Sequence, residues 1–189
     1  MTSQMIELNN GSKRWVLDGK PHREDGPAYT KIDGSYSWFL NGNLHREDGP
    51  AYNMYGSKKW YINGKLHRED GPAIEYDDGS KTWYINGKLH REDGPAVITI
   101  NDIDSYNLWY ENGKLHRFDG PAIEHNNGNK EWYIDGVKFN KCNFDKVLSL
   151  TKRFINNLKR KYQVKVKNTI YDNTNICKNV CDLISKYVI

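Results

Sequence analysis

The sequence predicts a mainly β chain, an elongated array of antiparallel β-hairpins in six units with a C-terminal α-helical cap. Three observations predict it. Tryptophan recurs at Trp15, Trp38, Trp60, Trp83, Trp109 and Trp132, at spacings of 23, 22, 23, 26 and 23 residues. The phrase His-Arg-x-Asp-Gly-Pro-Ala begins at His22, His45, His67, His90 and His116. Beyond residue 140 this text stops, and apolar residues fall at helical spacing instead. Self-similarity at such a period marks a repeat architecture, in which a unit cannot bury its apolar face alone but neighbours cover one another. Residues 1–140 therefore read as a six-unit β-hairpin repeat domain and 141–189 as a basic helical cap.

Each unit carries two turn signals. The first precedes the tryptophan: Asn9-Asn10-Gly11, Asp77-Asp78-Gly79 and Asn126-Asn127-Gly128, with Asp33-Gly34 and Tyr55-Gly56 as relatives. A three-residue loop ending in a left-handed glycine places Glu75 opposite Lys81. The same count puts Glu7 opposite Lys13 and Glu124 opposite Lys130. Opposite charges across a strand pair contribute only about 0.2–1 kcal/mol each, so their recurrence says more than their energy. The second signal follows the Trp-Tyr segment: Asn41-Gly42, Asn63-Gly64, Asn86-Gly87 and Asn112-Gly113, with Asp18-Gly19 and Asp135-Gly136 at the two ends. These dipeptides tolerate the positive φ of a tight hairpin, and a two-residue turn pairs Tyr84 with Leu89 and Trp83 with His90.

The connecting phrase then leads into the next unit. The fifth unit replaces the glycine turn by a longer stretch, Asn101 to Ser105, which accounts for the 26-residue spacing. The sixth unit runs from Asp135-Gly136 into Val137-Lys138-Phe139 and drops the phrase, as an array does at a capped end.

Composition agrees with a thin structure. Hydrophobic residues make up 37%, against roughly 45–50% in an ordinary globular domain. Aromatics reach 13%, and Trp and Tyr bury large areas while keeping a polar tip near water. The charge is uneven. Residues 141–189 hold 11 Lys and Arg against 3 Asp, a balance of +8, and the rest of the chain is at 17 − 21 = −4. Cysteine occurs only at Cys142, Cys177 and Cys181, an odd count outside the repeats, which favours a reducing compartment. The start lacks an apolar run of signal-peptide length, and no stretch approaches roughly 18 apolar residues. These features predict a cytoplasmic protein without a transmembrane segment.

The phrase Tyr84-x-Asn86-Gly87-Lys88-x-His90 with the later Gly94, and the turn Asp78-Gly79 ahead of Trp83-Tyr84, resemble the MORN repeat. The longer text Trp-Tyr-x-Asn-Gly-Lys-Leu-His-Arg-Glu-Asp-Gly-Pro-Ala is similar to a MORN-like variant found in giant DNA viruses of amoebae and in some phages. The resemblance covers roughly residues 5–139. It departs from the standard unit in the Arg-Glu-Asp insertion, where MORN units place glycine directly after histidine, which leaves the connector geometry open. The resemblance implies an elongated, twisted single-layer sheet, scaffolding and protein binding, often with self-association as a homo-oligomer. It implies a viral protein, located in host cytoplasm or virion, and no catalytic residues.

In the tail, Phe144, Val147, Leu148, Phe154, Ile155, Leu158 and Tyr162 share a helical stripe, with Asn143 as candidate cap. The opposite face carries Lys152, Arg153, Lys159, Arg160 and Lys161. A second stripe runs from Thr174 through Ile176, Cys177, Val180, Leu183, Ile184, Tyr187 and Val188. A helical pair folded over the last repeat would shield an edge otherwise open to aggregation.

Function divides into three readings. A motif repeated in every unit signals architecture before chemistry. The His-Arg-Glu-Asp phrase therefore reads as connector, with Asp capping the Gly-Pro turn and His packed beside Trp. No nucleophile triad, phosphate loop or paired-carboxylate signature rises above the repeat. Cys142, Cys177 and Cys181 lack zinc spacing and read as buried thiols. The chain is thus expected to be no enzyme and to need no cofactor or metal. The first reading is a scaffold, protein-binding or self-associating as a homodimer. Its candidate contacts are Trp38, Trp60, Trp83 and Trp109 on the repeats and Lys152, Arg153, Lys159, Arg160 and Lys161 on the tail. The second is a nucleic-acid-associated accessory protein anchored by that basic tail. The third is an aromatic-groove binder of a small ligand or glycan.

Overall fold

The computed structural model describes residues 3–101 and 104–162, with side chains through Asn156. Among the described residues the architecture is mainly β with one helix, Lys141–Tyr162. The chain meanders through one long antiparallel sheet of 14 strands whose successive members pair, except that Lys20–Pro21 pairs only with Lys13–Leu17. Each of the four inner units contributes two of these strands and each end unit three. In the fourth unit they are Ile74–Tyr76 and Lys81–Thr82.

Local chemistry sets the register. Glu75 lies opposite Lys81, Glu7 opposite Lys13 and Glu124 opposite Lys130, as the three-residue loop requires. Gly79 sits at φ +87° and Gly128 at +88°, a conformation that costs glycine little. Asp78 accepts a hydrogen bond from the Ser80 N–H at 2.8 Å, which locks the loop as an Asx turn. Between units, Glu75 also lies opposite Lys58. Glu75 therefore faces a lysine on both sides, whereas Glu124 faces Lys130 and Asn107.

At Trp38, Trp60, Trp83 and Trp109 the strand leaves the long sheet. The Trp83 N–H donates to the Ala96 carbonyl at 2.8 Å, and the His90 N–H donates to the Trp83 carbonyl at 3.2 Å. The chain then forms a second, short hairpin, Tyr84–Ile85 against Lys88–Leu89, with Tyr84 opposite Leu89. Its turn residues Asn86 and Gly87 have φ of 52° and 78°, the doubly left-handed geometry for which Asn-Gly is suited. These hairpins form a row of their own. The Gly87 N–H donates to the Leu66 carbonyl and the Gly113 N–H to the Leu89 carbonyl, both at 2.8 Å.

The core is thin. Ala28, Ala51, Ala73, Ala96 and Ala122 are fully buried at the point where each connector meets the sheet. Ser12, Ser57 and Ser80 are buried beside the turns, and Ser37 is buried within its strand. All six tryptophans are half-buried, so aromatic faces take the place of a thick aliphatic interior. Trp60, Trp83 and Trp109 have matching surroundings, each with its N–H on an alanine carbonyl and its carbonyl on a histidine N–H. Tyr61, Tyr84 and Tyr110, which follow these tryptophans, are likewise half-buried.

The helix closes the array. Phe144 and Val147 pack on Ile134, joined by Trp132, Phe139, Leu148 and Phe118. Three details differ from the sequence reading. Asn140 caps the helix, its side-chain oxygen accepting the Asn143 N–H at 2.8 Å, because the helix begins at Lys141. Phe154 is 45% exposed, and Thr151 takes the buried position one turn before it. Cys142 is an exposed free thiol, since it lies away from the stripe that meets Ile134. The second helical segment, with Cys177 and Cys181, lies outside the described residues. Among the described residues no helix is long and apolar enough to cross a membrane.

Candidate functional site

The chemistry-bearing residues belong to the connector, and the structure gives each a partner. Arg23, Arg46, Arg68, Arg91 and Arg117 lie over the rings of Trp15, Trp38, Trp60, Trp83 and Trp109 at 4.2, 4.3, 4.1, 4.0 and 3.9 Å. The planar guanidinium suits such stacking, and its N–H fork stays free for acceptors in its plane. Nε of Arg68 donates to Asp70 at 2.9 Å, and Nη1 donates to the Pro72 carbonyl at 3.3 Å. Arg91 repeats this on Asp93 and Pro95. Nη1 of Arg68 also reaches Glu75 at 3.0 Å, and that of Arg117 reaches Glu124 at 3.1 Å. The connector thus folds back over its own tryptophan and clips onto the charged face of the sheet.

This corrects the expected role of the aspartate. Asp70 holds the Arg68 side chain rather than capping the Gly-Pro turn, because the arginine has folded back within reach. The hydrogen bond from Arg68, then its charge, hold the Asp70 carboxyl below the usual carboxylate range, and Asp25, Asp48 and Asp93 follow suit.

The histidines link consecutive units. The Asn86 N–H donates to Nδ1 of His67 at 3.1 Å, and the Asn63 and Asn112 N–H groups do the same to His45 and His90 at 3.1 and 3.2 Å. An accepting Nδ1 puts the ring proton on Nε2, which faces Glu69 at 3.7 Å in the third unit. A histidine held this way is a spacer between hairpins and is not placed as a base.

The fifth connector departs from the rest for a physical reason that the sequence reading missed. Phe118 stands where the others carry Glu, meets His116 edge-on at 4.9 Å, and packs onto the cluster of Ile134, Phe144 and Val147. An apolar residue is needed there because the helix sits where a sixth connector would.

The predicted contact residues are placed as follows. Trp38, Trp60, Trp83 and Trp109 each have one ring face under an arginine, so they do not form an open aromatic cage. Lys152 and Arg153 are exposed on the helix, while the side chains of Lys159, Arg160 and Lys161 lie outside the described residues. Among the described residues, Lys152 and Arg153 share no contact with these tryptophans. Among the described residues no group of three His, Cys, Asp or Glu is arranged to hold a metal ion. Instead, grooves run between successive connectors, of about 730 Å³ at Trp83 and about 930 Å³ at Trp109. The sequence carried a signal for the Arg–Trp pair, since the arginine follows the tryptophan by 8 positions in all five units while the unit length varies. Comparison with protein-family models and with curated proteins finds no match to this chain.

Proposed function

We propose that the chain is a non-enzymatic interaction scaffold, binding protein partners or associating with itself through its repeat sheet. The observation that carries this reading is the use of the connector's polar groups. The Arg68 guanidinium, the Asp70 carboxylate and Nδ1 of His67 are all engaged in bonds that build the array, so the recurring phrase serves construction. What the array then offers is area, two broad faces repeated along one axis. The resemblance to MORN repeats supports the same reading, and a giant-virus origin belongs with it as part of the proposal. The test is affinity capture by the full chain from its native source, followed by hydrogen exchange on the complex. Protection within residues 4–139 supports the reading. Protection confined to the tail, or turnover of a substrate abolished by Asp70→Asn in a folded chain, contradicts it.

A second reading has its own observation. Lys152 and Arg153 are exposed and, among the described residues, neither has an ion-pair partner. A nucleic-acid-associated role predicts steeply salt-dependent DNA binding by the full chain. That binding would fall when both residues are changed to Gln, and the absence of any binding at low salt would remove this reading.

A further inference from the structure

The two grooves between connectors have a composition that selects a ligand. Trp83 and Ile85 line the first, whose rims are the third connector, with Glu69 and Asp70, and the fourth, with Glu92 and Asp93. Trp109, Tyr110 and Phe118 line the second, between the fourth and fifth connectors. Both are apolar below and charged at the lip. In the first, Arg68 and Arg91 stand against Glu69, Asp70, Glu92 and Asp93, a balance of 2 − 4 = −2. In the second, Arg91 and Arg117 stand against Glu92, Asp93, Glu111 and Asp119, again 2 − 4 = −2. Neither lining contains a lysine.

The arginines are already committed, stacked on tryptophan and bonded to Asp and to a proline carbonyl. Glu69 and Glu92 are not. Their side chains are 87% and 82% exposed, with only a histidine Nε2 at 3.7 and 3.9 Å beside them. Each groove therefore presents carboxylate that the array does not use, above an aromatic floor.

We propose that these grooves bind an extended, basic segment of a partner protein, one Lys or Arg side chain per groove. The assignment rests on the scaffold reading and names its face and partner class. Long basic side chains fit both layers, the methylenes against Trp83 or Trp109 and the charged head among the rim carboxylates. The net negative lining repels a phosphate backbone. Spacing adds a constraint. Successive grooves share the fourth connector and lie one unit apart, two strand separations or about 9.6 Å. A polyproline-type chain advances about 3.1 Å per residue with three residues per turn, so every third side chain falls on one face. The favoured segment therefore carries a cation at every third residue.

The experiment uses the full chain and two synthetic peptides of identical composition, one with lysine at every third position and one with the same lysines in a contiguous block. Calorimetry measures affinity at low and moderate salt, and indole NMR shifts report which tryptophans respond. The spaced peptide is expected to bind more tightly than the block, with binding that weakens as salt rises and shifts centred on Trp83 and Trp109. The double variant Glu69→Gln/Glu92→Gln is expected to keep its melting temperature and to lose about threefold to tenfold in affinity, since each is an exposed charge. Equal affinity for both peptides, no binding, shifts elsewhere, or indifference to the double variant overturns the proposal. A native partner bound by the double variant with undiminished affinity overturns it too, while leaving the scaffold reading in place.

Discussion

The Arg68 guanidinium lies 4.1 Å above the Trp60 ring and also donates to Asp70 and to the Pro72 carbonyl. One side chain thereby covers an aromatic face, pins a carboxylate and satisfies a backbone acceptor. Arg68→Ala is expected to cost about 1–3 kcal/mol, the sum expected of a partly desolvated cation–π contact and charge-assisted hydrogen bonds. Arg68→Lys should recover only part of this, because an ammonium cannot stack flat while donating in two in-plane directions. Urea unfolding of the two variants checks both statements.

The linkage between units runs through His67. With Nδ1 accepting the Asn86 N–H, nitrogen NMR should show a neutral ring protonated at Nε2. His67→Phe keeps the ring's bulk and leaves that N–H without its acceptor. A loss of about 0.5–1.5 kcal/mol is expected for the missing hydrogen bond, read as a drop in thermal midpoint with no change in the far-ultraviolet spectrum.

Phe118 tests the cap. Phe118→Glu restores the residue common to the other connectors and places a carboxylate against Ile134, Phe144 and Val147. The variant should keep its β signal and lose protection at the amides of the helix, measured by hydrogen exchange. Unchanged protection would show that the helix does not depend on this contact.

Stability should fall at both ends of the pH scale. The Arg partners hold Asp25, Asp48, Asp70 and Asp93 below the usual carboxylate range in the folded chain. The stability they contribute is present above the unfolded value and is lost as pH falls through the lowered folded value. Burial holds Tyr61, Tyr84 and Tyr110 above the ordinary tyrosine value. Their contribution is complete below that value and is lost as pH rises through the raised one. Melting temperature against pH should show an acid limb made shallower by Asp70→Asn and an alkaline limb made shallower by Tyr84→Phe.

Much of this architecture was legible in the residues because each local choice agreed with the whole. Asn86-Gly87 demanded a tight hairpin, and Glu75 with Lys81 selected one register over its neighbours. The connector was less legible. Its residues pair at short range in sequence but only after the chain has folded back, so Asp70 looked like a turn cap when its partner is the Arg68 fork. Phe118 was opaque for a similar reason, since its role exists only once the helix occupies the place of a missing sixth connector. The grooves are products of stacking, and no single unit contains one.

The central claim is that each unit is stable only through its neighbours and is otherwise interchangeable. Excising residues 74–96 joins Ala73 to Val97 and removes one complete unit. The account predicts a chain that still folds cooperatively, with an unshifted tryptophan emission maximum and a lower urea midpoint. An unfolded or aggregated product, or a midpoint unchanged by the loss of a unit, would contradict it.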